Sequence, residues 1–149
     1  MATGDDVDTV LVPIDGSDEA DEAVAYAAAI AARYGATVHA LVVLGEEASR
    51  AVEDGTVDAE AVASEAQSVA ESAGAIVERE GVPWTNSVAV GFSTTRKLVH
   101  PGSVILDAAD QIDADFLVIP RETGLESDDV LEKAAEYVLS YASQPVLSV

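Results

Sequence analysis

Val10-Leu11-Val12-Pro13-Ile14-Asp15-Gly16-Ser17 is an apolar run that stops abruptly at three turn-forming residues. The run is β-branched and too short for a helix, so Thr9 to Ile14 is read as a buried first strand. Ser17 is a good helix N-cap, and Asp18, Glu19, Asp21 and Glu22 place negative charge where a helix dipole favours it. Ala20, Ala23, Val24, Ala27, Ile30, Ala31 and Tyr34 recur at three- and four-residue steps and form one apolar helical face. Gly35 stands where a glycine ends such a helix. A strand, a tight turn and a helix N-terminus in this order place a ligand-side turn at the carboxyl end of a first strand.

Outward from this unit the pattern repeats. Thr37 to Leu44 is a second apolar strand, completing a βαβ unit, which is parallel and right-handed almost without exception. Gly45 to Gly55 is acidic and irregular, with room for one helical turn. Asp58 caps a second helix running to about Glu80, with Val62, Ala66, Val69, Ala73, Ile76 and Val77 inward; Gly74 is a weak point near its end. Trp84 to Val90 is a third strand, and Gly91 to Gly102 is the least regular part of the chain. A third helix from Ser103 buries Val104, Ile105, Ala108, Ala109 and Ile112. Asp115 to Pro120 is a fourth strand. Ser127 or Asp128 caps a fourth helix whose apolar positions are Val130, Leu131, Ala134, Ala135, Tyr137, Val138 and Tyr141. Pro145 to Val149 is a short last strand. This alternation predicts one α/β domain over residues 9–149, doubly wound with helices on both faces of a parallel sheet, after a flexible acidic lead at 1–8.

Composition narrows the function classes. The chain carries 28 Asp+Glu against 7 Lys+Arg, a formal net charge of -21, and no cysteine. A surface this negative repels nucleic acid and anionic membranes. Disulfides and thiolate metal sites are excluded, and His39 and His100, the two histidines, cannot assemble a zinc cluster. The acid is dispersed among apolar positions, which a disordered chain would lack. The composition matches that of proteins from salt-loving organisms, where salt screens the self-repulsion. The polar start Met-Ala-Thr-Gly-Asp-Asp lacks signal-peptide features, and no apolar run approaches the roughly 20 residues a membrane span requires, so a cytoplasmic protein is expected.

Three stretches together resemble the universal stress protein family: Val10 to Ser17 with the alanine-rich helix after it, Ala-Asp-Phe-Leu-Val-Ile at 114–119, and Ala135-Glu136-Tyr137-Val138-Leu139 with Pro145 to Val149 at the end. The resemblance covers the chain from about residue 8 to 149. It implies an open sheet of five strands in the order 3-2-1-4-5. It also implies a homodimer in which the last strands pair, here through Val146, Leu147, Ser148 and Val149. Many members bind ATP through a loop after the fourth strand with the pattern Gly-x2-Gly-x9-Gly-(Ser/Thr). This chain departs from it. Pro120 stands at the first glycine, Glu132-Lys133 at the final pair, and Gly124 matches a glycine outside the motif. Missing glycines remove close backbone approach to phosphate, and Glu122, Glu126, Asp128 and Asp129 repel it. Tight ATP binding is therefore disfavoured, and the cofactor is left unassigned.

The resemblance makes Asp15 the adenine-contacting position, with Pro13, Gly16 and Ser17 around it and backbone contacts to the base from Val42, Val43 and Leu44. An adenine or small-ligand cleft is thus expected to persist without its triphosphate half. The competing reading is that Asp15-Gly16-Ser17 is turn and cap chemistry alone. Arg96, Lys97, His100 and Arg121 are scarce cations that can meet at a cleft or pair with surface carboxylates, and the pairing is the favoured reading. Trp84 and Phe92 are read as packing residues and His39 as a satisfied, partly buried imidazole. No Gly-x-Ser-x-Gly elbow exists and no catalytic or metal-ligating residue is assigned. Three functions follow: a regulatory module with a small-ligand cleft, an ATP-binding or slowly hydrolysing switch with a divergent loop, or a structural dimer subunit acting through a protein partner.

Overall fold

The structure is a computed structural model of the full chain, of which residues 7–44, 51, 54–55, 58–90, 101–120 and 130–149 are described. Strands β1 (Thr9–Ile14), β2 (Thr37–Leu44), β3 (Trp84–Val90), β4 (Phe116–Ile119) and β5 (Val146–Ser148) alternate with helices α1 (Asp18–Tyr34), α2 (Ala59–Glu78), α3 (Pro101–Gln111) and α4 (Val130–Tyr141). The five strands form one sheet in the order β3-β2-β1-β4-β5, and every pairing is parallel. Helices α1 and α2 pack together on one face, and α3 and α4 on the other. The expected architecture is therefore the observed one.

β1 and β2 are buried on both faces, as strands sandwiched between helix layers must be. α1 presents Ala20, Ala23, Val24, Ala27, Ala28 and Ala31 to the sheet, small side chains that bring the helix close. Tyr34, read from its spacing as part of this face, is instead 55% exposed, because the helix ends there at Gly35 in a left-handed conformation. Tyr141 is likewise 70% exposed at the end of α4, with its ring tilted by 47° against that of Tyr137 at 4.7 Å between centroids. Helix periodicity predicts direction, but a terminal residue can point inward and still find no layer above it.

Gly74 is a correction. It lies buried under the indole of Trp84, where a Cβ would overlap ring atoms Cζ2 and Cε2. The missing side chain seats the tryptophan, whose Nε1 donates to Glu78 Oε1 at 2.9 Å. Gly102 plays a similar part on the other face, where a Cβ would come within 2.6 Å of Tyr137 Cβ and push α3 from α4.

Two polar devices hold the sheet. Asp115 Oδ2 accepts from the backbone N–H groups of Asp8 (2.9 Å) and Thr9 (3.0 Å), tying the start of β1 to the start of β4. Asp115→Ala is expected to destabilise the fold by roughly 1–3 kcal/mol, the cost of leaving such donors without their acceptor. Asp115→Asn, which removes the same charge but keeps an acceptor, should cost clearly less in thermal melts. His39 is 8% exposed, with Nδ1 bonded to Thr85 Oγ1 (2.7 Å) and Nε2 to Ser87 Oγ (2.8 Å), so it fastens β2 to β3. Burial lowers its pKa and keeps the ring neutral. The unfolded chain takes up a proton below about pH 6.5 that the fold resists, so this residue's stabilisation is lost as pH falls. Melting temperature is expected to drop less between pH 7.5 and 5.5 in His39→Gln than in the parent.

Candidate functional site

The sheet order reverses between β1 and β4, since α1 leaves β1 on one face and α3 enters β4 on the other. Ligands of open α/β sheets bind at the carboxyl side of such a point. Pro13 contributes to the crevice there. Asp8 accepts from Thr37 N of β2, and Thr9 from Asp115 N beside β4. The strand's backbone groups alternate in direction, so Leu11 and Pro13 also face β4. Proline has no N–H to give. The β1–β4 pairing ends at Leu11↔Leu117, whereas the β1–β2 pairing continues to Ile14↔Val42. The two central strands thus lose their ladder on the ligand side of the switch point.

Asp15 follows β1 at the mouth of this gap and is partly exposed. Because Ile14 pairs with Val42, Asp15 lies beside the last residues of β2, Val43 and Leu44, which run past the end of β1. Val42 and Val43 are buried and Leu44 half-buried. The turn has defined chemistry: Gly16 adopts φ 87°, and Ser17 N donates to Asp15 Oδ1 at 3.0 Å. Ser17 Oγ accepts from Ala20 N at 3.1 Å, the cap expected from its position. A Cβ on Gly16 would stand 3.3 Å from Val69 Cγ2, so α2 closes over the turn from one side.

The N-terminus of α1 is therefore capped in part by its own chain. Ser17 Oγ takes up the amide of Ala20, Asp15 Oδ1 takes up that of the cap residue Ser17, and Asp18, Glu19 and Asp21 fill the first turn. Desolvation, and then the neighbouring Asp18 carboxylate, push the Asp21 pKa up. Helix N-termini attract phosphate when their amides are free and their surroundings neutral or basic. Here one of the first amides is capped and the surroundings are acidic, as the residues at 17–22 predict.

Pro13, Asp15, Gly16, Ser17, Val42, Val43 and Leu44 are thus brought together at one edge of the sheet. Arg121 and Gly124 lie outside the described residues, as do Phe92, Arg96, Lys97, His100 and the carboxylates at 122–129. Pro120 is buried directly after β4. Val146, Leu147 and Ser148 form β5 at an edge of the sheet, and Val149 N donates to Ile119 O at 3.0 Å. Among the described residues, no cluster of three or more His, Asp or Glu side chains could hold a metal ion. Among those residues, no helix is long and apolar enough to cross a membrane.

The fold and site can be set beside known proteins. Comparison with curated proteins returns no match. Among solved structures, the universal stress protein UspA from Lactobacillus plantarum is similar at 23% identity and a TM-score of 0.70, covering 97% of this chain and 98% of that one. A universal stress protein in complex with cAMP matches at 22% identity and a TM-score of 0.68, covering 97% of each chain. The universal stress protein from Archaeoglobus fulgidus in complex with dAMP matches at 25% identity and a TM-score of 0.67, covering 95% of this chain and 96% of that one. The family model described as universal stress protein family matches residues 7–149. With that match spanning nearly the whole chain, this protein belongs to the universal stress protein family.

Proposed function

We propose that this protein is a stress-response regulatory module that binds an adenine nucleoside or monophosphate beside Asp15 and lacks a tight grip on a triphosphate. The carrying observation is the juxtaposition of Asp15 with Val43 and Leu44 at the gap left by Pro13. A carboxylate accepts from an exocyclic amine, and strand-end backbone groups suit the edge of a planar base. Two of the similar solved proteins were captured with cAMP and dAMP, both adenine nucleotides with a single phosphate. The capped, acidic start of α1 and the missing glycines after β4 argue against three phosphates at the same place.

Calorimetric titration in molar KCl with adenosine, AMP, cAMP and ATP tests this. Adenosine and AMP are expected to bind with similar affinity, ATP no more tightly than AMP, and Asp15→Ala to abolish the signal. ATP binding at least tenfold tighter than AMP, about 1.4 kcal/mol, would favour the switch with a divergent loop. Silence from all four ligands would leave the structural-subunit reading.

The same module is proposed to work as a homodimer through β5. Among the described residues this strand is a sheet edge with no strand beyond it, and α4, which packs beside it, exposes Leu139 (48%) along with Tyr141. Val146→Pro, which removes a backbone N–H directed away from β4, is expected to convert the dimer to monomer in sedimentation velocity.

A further inference from the structure

The opposite sheet edge carries a second, unassigned surface. β3 pairs with β2 along one side and with no described strand along the other. Thr85, Asn86, Ser87 and Val88 are all exposed, Val88 at 51%. Natural edge strands are commonly protected by charge, proline, bulges or shortness. β3 is seven residues long, pairs with β2 without a bulge, and contains neither charge nor proline. It lies within Gly81 to Thr95, fifteen residues without Asp, Glu, Lys or Arg, the longest such stretch of the chain. The second longest, Tyr137 to Val149, contains the other edge strand, β5. A chain of net charge -21 has thus kept charge off both of its sheet edges.

We propose that the β3 edge is a second self-association surface, at which two copies join by antiparallel pairing of β3 with β3. The backbone supports a specific register. Val38 N donates to Pro83 O, so Pro83, Thr85, Ser87 and Ala89 direct their backbone groups at β2. Trp84, Asn86, Val88 and Val90 direct theirs outward. A two-fold axis at Ser87 sets Asn86 against Val88 and Trp84 against Val90 of the second copy. Each pair then exchanges two hydrogen bonds, and every outward N–H meets an outward carbonyl. His39 ties Thr85 and Ser87 to β2, so the two hydroxyls are already bonded within the copy.

Charge selects a second copy as the occupant. Elsewhere the acidic surfaces of two copies repel, and at β3 each copy offers the other a neutral strand. An isologous contact also closes on itself without needing a matching patch elsewhere. Repulsion between the flanking surfaces makes the contact salt-dependent, because the Debye length falls from about 10 Å at 0.1 M to about 3 Å at 1 M. The β3 contact is independent of the dimer through β5, and the two together yield species larger than a dimer.

Sedimentation velocity of the full chain across 0.1–3 M KCl tests the surface, using the parent, Asn86→Asp, Val88→Pro, Val146→Pro and Val146→Pro/Val88→Pro. Circular dichroism melts verify that each is folded. Asn86→Asp adds one exposed carboxylate, and Val88→Pro removes an N–H that β2 does not use. The parent is expected to form species beyond the dimer as salt rises. Asn86→Asp and Val88→Pro should stop at dimer, Val146→Pro should keep a salt-dependent dimer, and the double variant should be monomeric. A parent that never exceeds a dimer, with Val146→Pro monomeric at every salt concentration, overturns the β3 contact and leaves the β5 dimer standing. Assemblies unchanged by folded Asn86→Asp and Val88→Pro overturn it as well.

Discussion

Replacing Gly74 by alanine is expected to lower the melting temperature by up to about 8 °C, although alanine is the better helix former. The propensity gain is about 1 kcal/mol at a helix interior position. Against it stands the indole of Trp84, which occupies the space a Cβ would need. The overlap involves ring carbons rather than the tip of a flexible side chain, so relief requires moving the helix or turning the whole indole. Turning it breaks the bond from Nε1 to Glu78 and disturbs the start of β3. Overpacking of this kind costs typically 1–3 kcal/mol. In a domain of this length each kilocalorie moves the midpoint by about 2–4 °C. The control is a double-mutant cycle in thermal melts. In a Trp84→Leu background, Gly74→Ala should be neutral or stabilising, because the clash is gone and the propensity gain remains. Gly74→Ala raising the midpoint of the parent would remove this account.

The second large effect is that of salt. Raising KCl from 0.1 to 2 M is expected to raise the melting temperature by about 10 °C, or roughly 3–5 kcal/mol for a chain of this size. The source is the net charge of -21, spread over a surface with few cations to offset it. Two unit charges 10 Å apart in water repel by about 0.4 kcal/mol before screening. At 0.1 M salt about a third of this survives, and at 1 M only a few per cent, given Debye lengths of about 10 and 3 Å. Summed over many carboxylates, these small terms rival the whole stability of a domain, about 5–15 kcal/mol. Unfolding spreads the charges and relieves them. Replacing exposed carboxylates such as Glu22, Glu60 and Glu71 together by glutamine should flatten the salt dependence measured by calorimetry. A midpoint that stays flat from low to molar salt in the parent would refute the electrostatic reading.

Much of the fold was legible because it depends on local periodicity. Continuous apolar runs, helical stripes and turn residues alternate clearly, and parallel strands joined by right-handed crossovers leave few topologies. Trp84–Val90 as a strand and Ser17 as a cap follow from chemistry within a few residues. Gly74 is illegible in the sequence for the opposite reason. Its meaning lies in Trp84, ten positions away in the chain but in contact across a helix–sheet interface. Tyr34 and Tyr141 have the right helical phase to be buried, but they stand at helix ends and are exposed among the described residues.

The same division runs through the candidate site. The sequence alone determined the family resemblance, the acidic surface, the turn at Asp15-Gly16-Ser17 and the loss of the glycine loop, because each is a matter of residue type and spacing. Tertiary structure decided what those residues face. The strand register set Asp15 beside Val43 and Leu44 and turned the N-side of Pro13 toward β4, where the ladder stops. It also aligned His39 with two hydroxyls on the next strand and left β3 with an uncharged outer edge. Such relations join residues from 28 to 106 positions apart, and only packing of helices on both sides of the sheet selects one register among the many that local preference allows.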